Sequence, residues 1–210
     1  TPKPSSAASD VYKRQINMGV HIGNKYVRAC LRWFRRGSSR RSKVLALLLG
    51  ATVFALLLPS ILILAGRCLD RVFGLRGLLP SPLGFIVGVA VAGIGWPFAL
   101  WAVYVQYVVG EGTPLPNVPT ARLITSGPYR YCRNPMALGT MFFYVGLALI
   151  FGTLSMFFLI LLLFTPLFVF VKVYEEKELE VRFGEEYLKY KERTPFLIPR
   201  FWRRSREDMM

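Results

Sequence analysis

Histidine occurs once in this sequence, at His21 in the N-terminal region. That scarcity excludes a general base of the usual histidine type and a histidine-rich metal site. Cysteine is nearly as scarce: Cys30, Cys68 and Cys132 form no CxxC pair and no even framework, which argues against a disulfide scaffold or a zinc site. Acidic side chains are few, 12 against 27 basic ones, so the net charge is +15. No repeat or low-complexity tract breaks the chain. The most informative absence is of charge inside long apolar runs. Val44 to Gly66 is 23 residues without a charged side chain, and similar runs recur further on.

Those runs decide the class. A hydrocarbon core of about 30 Å needs about 20 apolar helical residues to cross it. A chain of 210 residues cannot bury several such helices on every side in water. The excess positive charge lies beside the apolar runs, from Lys25 to Lys43 and from Lys172 to Arg206. This fits the positive-inside bias and attraction to anionic lipid headgroups. It does not form a stripe for reading nucleic acid, and no nucleic-acid partner is expected.

The expected architecture is an all-α integral membrane protein with about four transmembrane helices. Residues 1–15 read as a non-native or disordered tail. Residues 16–43 form a basic juxtamembrane segment. It reads either as an amphipathic helix lying on the membrane with Trp33 as an anchor, or as an extension whose charges only set topology. Residues 44–109 hold two spans, Val44 to Gly66, with Pro59 as a candidate kink, and Leu83 to Val109. A loop from Arg67 to Pro82 joins them. The third span, Met136 to Phe151, and the fourth, Leu154 to Tyr174, are separated only by Gly152 and Thr153, which predicts a tight helical hairpin. A cytoplasmic helix follows. Four crossings return the chain to its starting side, so both termini and the central loop are expected in the cytoplasm.

Two polar clusters stand where the spans meet that side. One is Thr125 to Pro135, in which Asn134 reads as the cap and Pro135 as the first residue of the third helix. The other begins at Glu175-Glu176 and continues through Phe183-Gly184-Glu185-Glu186-Tyr187 to Tyr190. Each has a structural explanation. Arg130 and Arg133 suit interfacial anchors, and Glu176–Lys172, Glu178–Arg182 and Glu185–Lys189 suit i,i+4 pairs worth about 0.2–0.5 kcal/mol each.

Taken in order, GPYRYCRNPM, a helical hairpin, Glu-Glu, and FGEEYLKYKERTPFLIPR resemble the isoprenylcysteine carboxyl methyltransferase and phospholipid methyltransferase superfamily, over about Gly110 to Arg200. The resemblance implies a methyltransferase core in residues 110–210 that uses S-adenosylmethionine and a membrane lipid or isoprenoid-type acceptor. It implies cofactor contacts from Arg122, Leu123, Ile124 and Tyr129, from Asn134, Pro135, Met136 and Ala137, and from Glu175, with Arg133 and Glu176 as the catalytic candidates. Gly110-Glu111-Gly112 is similar to a GxG element of the phospholipid enzymes. Asn134 and Ala137 depart from the family's usual histidine and tyrosine; asparagine can hydrogen-bond but cannot titrate. The competing classes are a small transporter or complex subunit and a membrane reductase on a related scaffold. The former is disfavoured by spans without interior charge. The acceptor, O- or N-methylation and oligomeric state are not legible here.

Overall fold

The computed structural model describes residues 40–77, 79–114 and 120–199. The N-terminal tail and most of the basic juxtamembrane segment, Trp33 included, lie outside the described residues. Those described form helices α1 (Arg40–Ala51), α2 (Leu58–Phe73), α3 (Ser81–Val108), α4 (Pro135–Ile150), α5 (Leu154–Phe170), α6 (Glu176–Phe183) and α7 (Glu185–Arg193), and no strand. Joined through their π-turns, Arg40–Phe73, Pro82–Val108 and Leu154–Phe183 are long and apolar enough to cross a membrane, and Pro135–Ile150 is a shorter apolar helix. The expected all-α membrane architecture is therefore present. At a rise of about 1.5 Å per residue, α4 reaches about 24 Å, short of the full hydrocarbon thickness.

The first helix outlasts the span read from hydropathy. It runs through Arg67, Asp70 and Arg71 to Phe73, where Gly74 takes a left-handed conformation and its N–H returns to the Asp70 carbonyl. The polar residues that suggested a loop have partners in this last turn. Arg67 lies over the Phe151 ring, 5.1 Å from its centre. Asp70 Oδ1 accepts the Ser155 backbone N–H at 2.9 Å, which satisfies an otherwise orphaned donor at the start of α5. Pro59 is accommodated by a π-turn over Thr52–Leu57. In that register the Leu58 N–H bonds the Val53 carbonyl, and the next bond would need an N–H that Pro59 lacks. The Tyr144 hydroxyl supplies it instead, donating to the Phe54 carbonyl at 2.7 Å.

α3 and α4 pack through a seam of small residues. Gly88, Ala92, Gly95 and Ala99 on α3 face Gly139 and Gly146 on α4. The approach is close: a Cβ at Gly139 would lie 2.6 Å from the Ala99 nitrogen, and one at Gly146 2.6 Å from the Ala92 nitrogen. Small residues that let backbones touch are how membrane helices gain packing energy where lipid is as apolar as the side chains. The arms of the expected hairpin thus have different principal partners, α3 for α4 and α2 for α5. Gly152, at φ +62°, makes the turn between them.

The last long helix also contains a π-turn, at Val171–Glu175. The Glu176 N–H reaches back five residues to the Val171 carbonyl. The extra residue lets Val171, Glu176 and Glu178 all face inward. Such turns inside helices are frequent at functional sites.

Candidate functional site

One end of the bundle collects the polar clusters. After α3 the chain folds back on itself, with the Gly112 N–H on the Gln106 carbonyl and the Ala121 N–H on the Gly110 carbonyl. The Gly127–Arg130 turn then lays Ile124 and Tyr129 against Ala102 and Val105 of α3, with Met136 beside them. α7 closes the opposite wall. The Tyr190 hydroxyl donates to the Tyr129 carbonyl at 2.7 Å, and the Arg133 N–H donates to the Pro195 carbonyl at 2.9 Å.

Asn134 does not cap α4 with its side chain. Its Nδ2 donates instead to the Phe196 carbonyl at 3.1 Å, so the residue joins the loop to the C-terminal segment. The Arg133 N–H holds the adjacent Pro195 carbonyl, so both residues fasten the same stretch of the tail.

Between these walls is a cavity of about 150 Å³. Gln106 of α3 lines one side, Leu123, Ile124, Tyr129, Arg133 and Asn134 of the loop another, and Glu175, Glu176, Glu178 and Arg182 a third, with Tyr187 and Tyr190 across from them. Seven of the residues singled out in the sequence therefore meet here. Pro135 is buried at the helix start, and Ala137 lies on α4 outside the lining. Arg122 is two-thirds exposed and pairs with Glu111 at 2.8 Å, also outside the lining.

The charges within the site are mostly tied to one another. Glu176 is 4% exposed and lies 3.1 Å from Arg133 Nη2 and 3.0 Å from Lys191 Nζ, rather than pairing with Lys172. A tertiary partner displaces the local one because the π-turn points Glu176 into the bundle. Lys172 lies near the Phe196 ring instead, at 6.0 Å. Glu178–Arg182 forms as expected, at 2.7 Å, and Arg182 Nη2 also donates to the Thr120 carbonyl. Glu185–Lys189 is not among the ion pairs of the described residues. Lys191 also bridges to Glu180 at 2.8 Å, and that hydrogen bond is the main reason its ammonium is held above the usual lysine range.

Other atoms at the cavity have no partner. The Nε and Nη1 donors of Arg133, whose side chain is 10% exposed, bond to nothing among the described residues. Gln106 Oε1 is likewise inaccessible and unbonded. Glu175 makes no ion pair among the described residues, although Glu176 beside it has two. Burial, then the neighbouring Tyr190, pushes the Tyr129 phenol well above its usual range; burial does the same to Tyr187 and Tyr190. All three phenols are neutral at physiological pH. Cys132 is fully buried behind the loop, and burial raises its thiol to about 11.

Gln106, Glu178, Arg182, Tyr187 and Tyr190 were not named as site residues from the sequence. The tyrosines lie within the FGEEYLKY stretch, so a signal for them existed. Gln106 carries none, since its place in the lining depends on how α3 meets the returning loop. Among the described residues no group of three or more His, Cys, Asp or Glu could hold a metal ion.

A family model for phospholipid methyltransferases matches residues 83–186, from the start of α3 to the first turn of α7. No curated protein and no solved structure matches the chain significantly. The matched segment includes the loop, Arg133, Asn134 and the glutamates, and ends just before Tyr187.

Proposed function

Since a family model for phospholipid methyltransferases matches residues 83–186, we propose that the protein moves a methyl group from S-adenosylmethionine to a lipid-like acceptor at the cytoplasmic face of the membrane. The observation that supports this reading is the set of polar groups around one cavity that have no partner among the described residues: two buried guanidinium donors of Arg133, a carboxylate at Glu175 without an ion pair, and an amide oxygen at Gln106.

These groups fit the cofactor. Its amino-acid end carries a carboxylate, to which Arg133 can donate through Nε or Nη1, and it carries amino and hydroxyl donors that Glu175 can accept. Leu123, Ile124 and Tyr129 supply apolar walls. When bound, S-adenosylmethionine brings a methyl group already activated on a sulfonium, so the protein need not generate the electrophile.

The protein's task is to align the acceptor and exclude water, a matter of proximity and orientation. Glu176 is a positioning residue in this scheme. Held between Arg133 and Lys191, it keeps the guanidinium plane directed at the cavity. Asn134 cannot titrate, and its amide fastens the C-terminal segment over the same wall. An amine acceptor must lose a proton at some stage, whereas a carboxylate acceptor needs no base. The cavity of about 150 Å³ is below the roughly 300 Å³ at which small-molecule sites begin, so ligand entry requires its walls to part.

The family match favours a lipid amine as acceptor, with an isoprenoid-linked carboxylate second. The test is transfer of labelled methyl to vesicles carrying either acceptor. Label extracted with the lipid, and dependent on the protein, is the expected result. Protein-bound cofactor with no label in any lipid fraction would count against a lipid acceptor.

A further inference from the structure

We infer that Gln106 is a ligand-recognition residue: its side-chain oxygen accepts a hydrogen bond from a neutral N–H or O–H group of the adenosyl ligand. This rests on the reading of the cavity as a cofactor site. It adds a contact on α3, away from the loop and the glutamates that the resemblance singled out.

Three observations converge on it. Gln106 lines the cavity from the last turns of α3. Its Oε1 has essentially no access to water and no partner among the described residues. Its backbone is held by the Gly112 N–H on its own carbonyl at 3.1 Å, and its side chain shares the cavity lining with Tyr129. A buried acceptor without a donor is uncommon in folded proteins and costs free energy unless something fills it.

The chemistry of the occupant follows from the group. An amide oxygen accepts but carries no charge, so it reads a neutral donor, such as a ribose hydroxyl or an exocyclic amine, as readily as a cationic one. The cationic end of the ligand has the Glu175 carboxylate to meet. The neutral donors are thus left for Gln106. An amide does not titrate, so the contribution of this one hydrogen bond involves no protonation change at Gln106.

The experiment measures binding, not turnover. S-Adenosylhomocysteine and its 2′-deoxy, 3′-deoxy and N6-dimethyl analogues are titrated calorimetrically into wild-type protein and Gln106→Met in nanodiscs, at two pH values. Gln106→Glu, which keeps an acceptor, is measured alongside. The wild type should lose about tenfold or more for the analogue lacking the donor that Gln106 reads. That loss should shrink to within about twofold in Gln106→Met, persist in Gln106→Glu, and in the wild type be the same at both pH values.

If Gln106→Met fails to fold, the wild-type series still decides, because equal binding of all three analogues overturns the inference. It is also overturned if Gln106→Met folds and shows the same analogue losses as the wild type. Absence of any saturable binding to folded wild-type protein is a different result. It removes the proposed function itself and this inference with it.

Discussion

Neutralising Glu176, as in Glu176→Gln, should destabilise the protein more than removing the charge of its second partner, Lys191. The carboxylate is 4% exposed, 3.1 Å from Arg133 and 3.0 Å from Lys191. Arg133 has no other anionic partner among the described residues and its side chain is 10% exposed. Glutamine there strands a buried guanidinium, for which breaking one side of a buried pair gives about 3–5 kcal/mol. Lys191 is a third exposed and bridges two carboxylates, so Lys191→Met leaves Glu176 its buried partner. Solvent screening limits that loss to about 1 kcal/mol or less.

Unfolding midpoints measured in one fixed detergent compare the two variants directly. Replacing both buried partners by apolar residues, Arg133→Met with Glu176→Leu, should recover much of what Glu176→Gln loses, since no charge is then stranded. The reasoning fails if Glu176→Gln is no less stable than Lys191→Met, or if the double variant loses the sum of its single changes.

Three further outcomes follow from the fold and the loop. Gly139→Ala should be destabilising by about 1–3 kcal/mol, because its Cβ meets the Ala99 backbone at 2.6 Å, whereas Gly93→Ala, with open space, should be neutral or slightly stabilising; unfolding midpoints of the pair check this. Tyr144→Phe should cost about 1–3 kcal/mol by leaving the Phe54 carbonyl without its donor in an apolar surrounding, measured in the same unfolding assay. In a Cys30→Ser, Cys68→Ser background, Cys132 should resist alkylation at neutral pH. Its thiol ionises near 11 when folded against a usual 9.0, so the unfolded chain sheds this proton first and stability falls as pH rises through that interval. Rapid labelling of folded protein at pH 7.5 would contradict this.

The helical membrane class was readable because uncharged runs of span length leave little choice of solvent. The end of the first helix was not. Arg67, Asp70 and Arg71 look like loop residues until Phe151 and the start of α5 are there to receive two of them. The small-residue seam was present in the sequence as Gly88, Ala92, Gly95 and Ala99, but hydropathy does not distinguish a glycine that faces a helix from one that faces lipid. At the site, the order of motifs located the loop and the glutamate pair. It could not say that Glu176 would turn away from Lys172 toward Arg133, because that depends on the π-turn at Val171–Glu175. Asn134 was legible as a helix start and not as a tether, since the Phe196 carbonyl it holds is 62 residues away.

The central claim is that the cavity beside Glu175 binds S-adenosylmethionine. Calorimetric titration of S-adenosylhomocysteine into the full chain in nanodiscs, with Glu175→Gln and the exposed control Glu186→Gln, tests it most directly. Saturable binding by the wild type, weakened about tenfold or more by Glu175→Gln and unchanged by Glu186→Gln, is the predicted result. Folded wild-type protein that binds no ligand, or equal binding by the two variants, would contradict it.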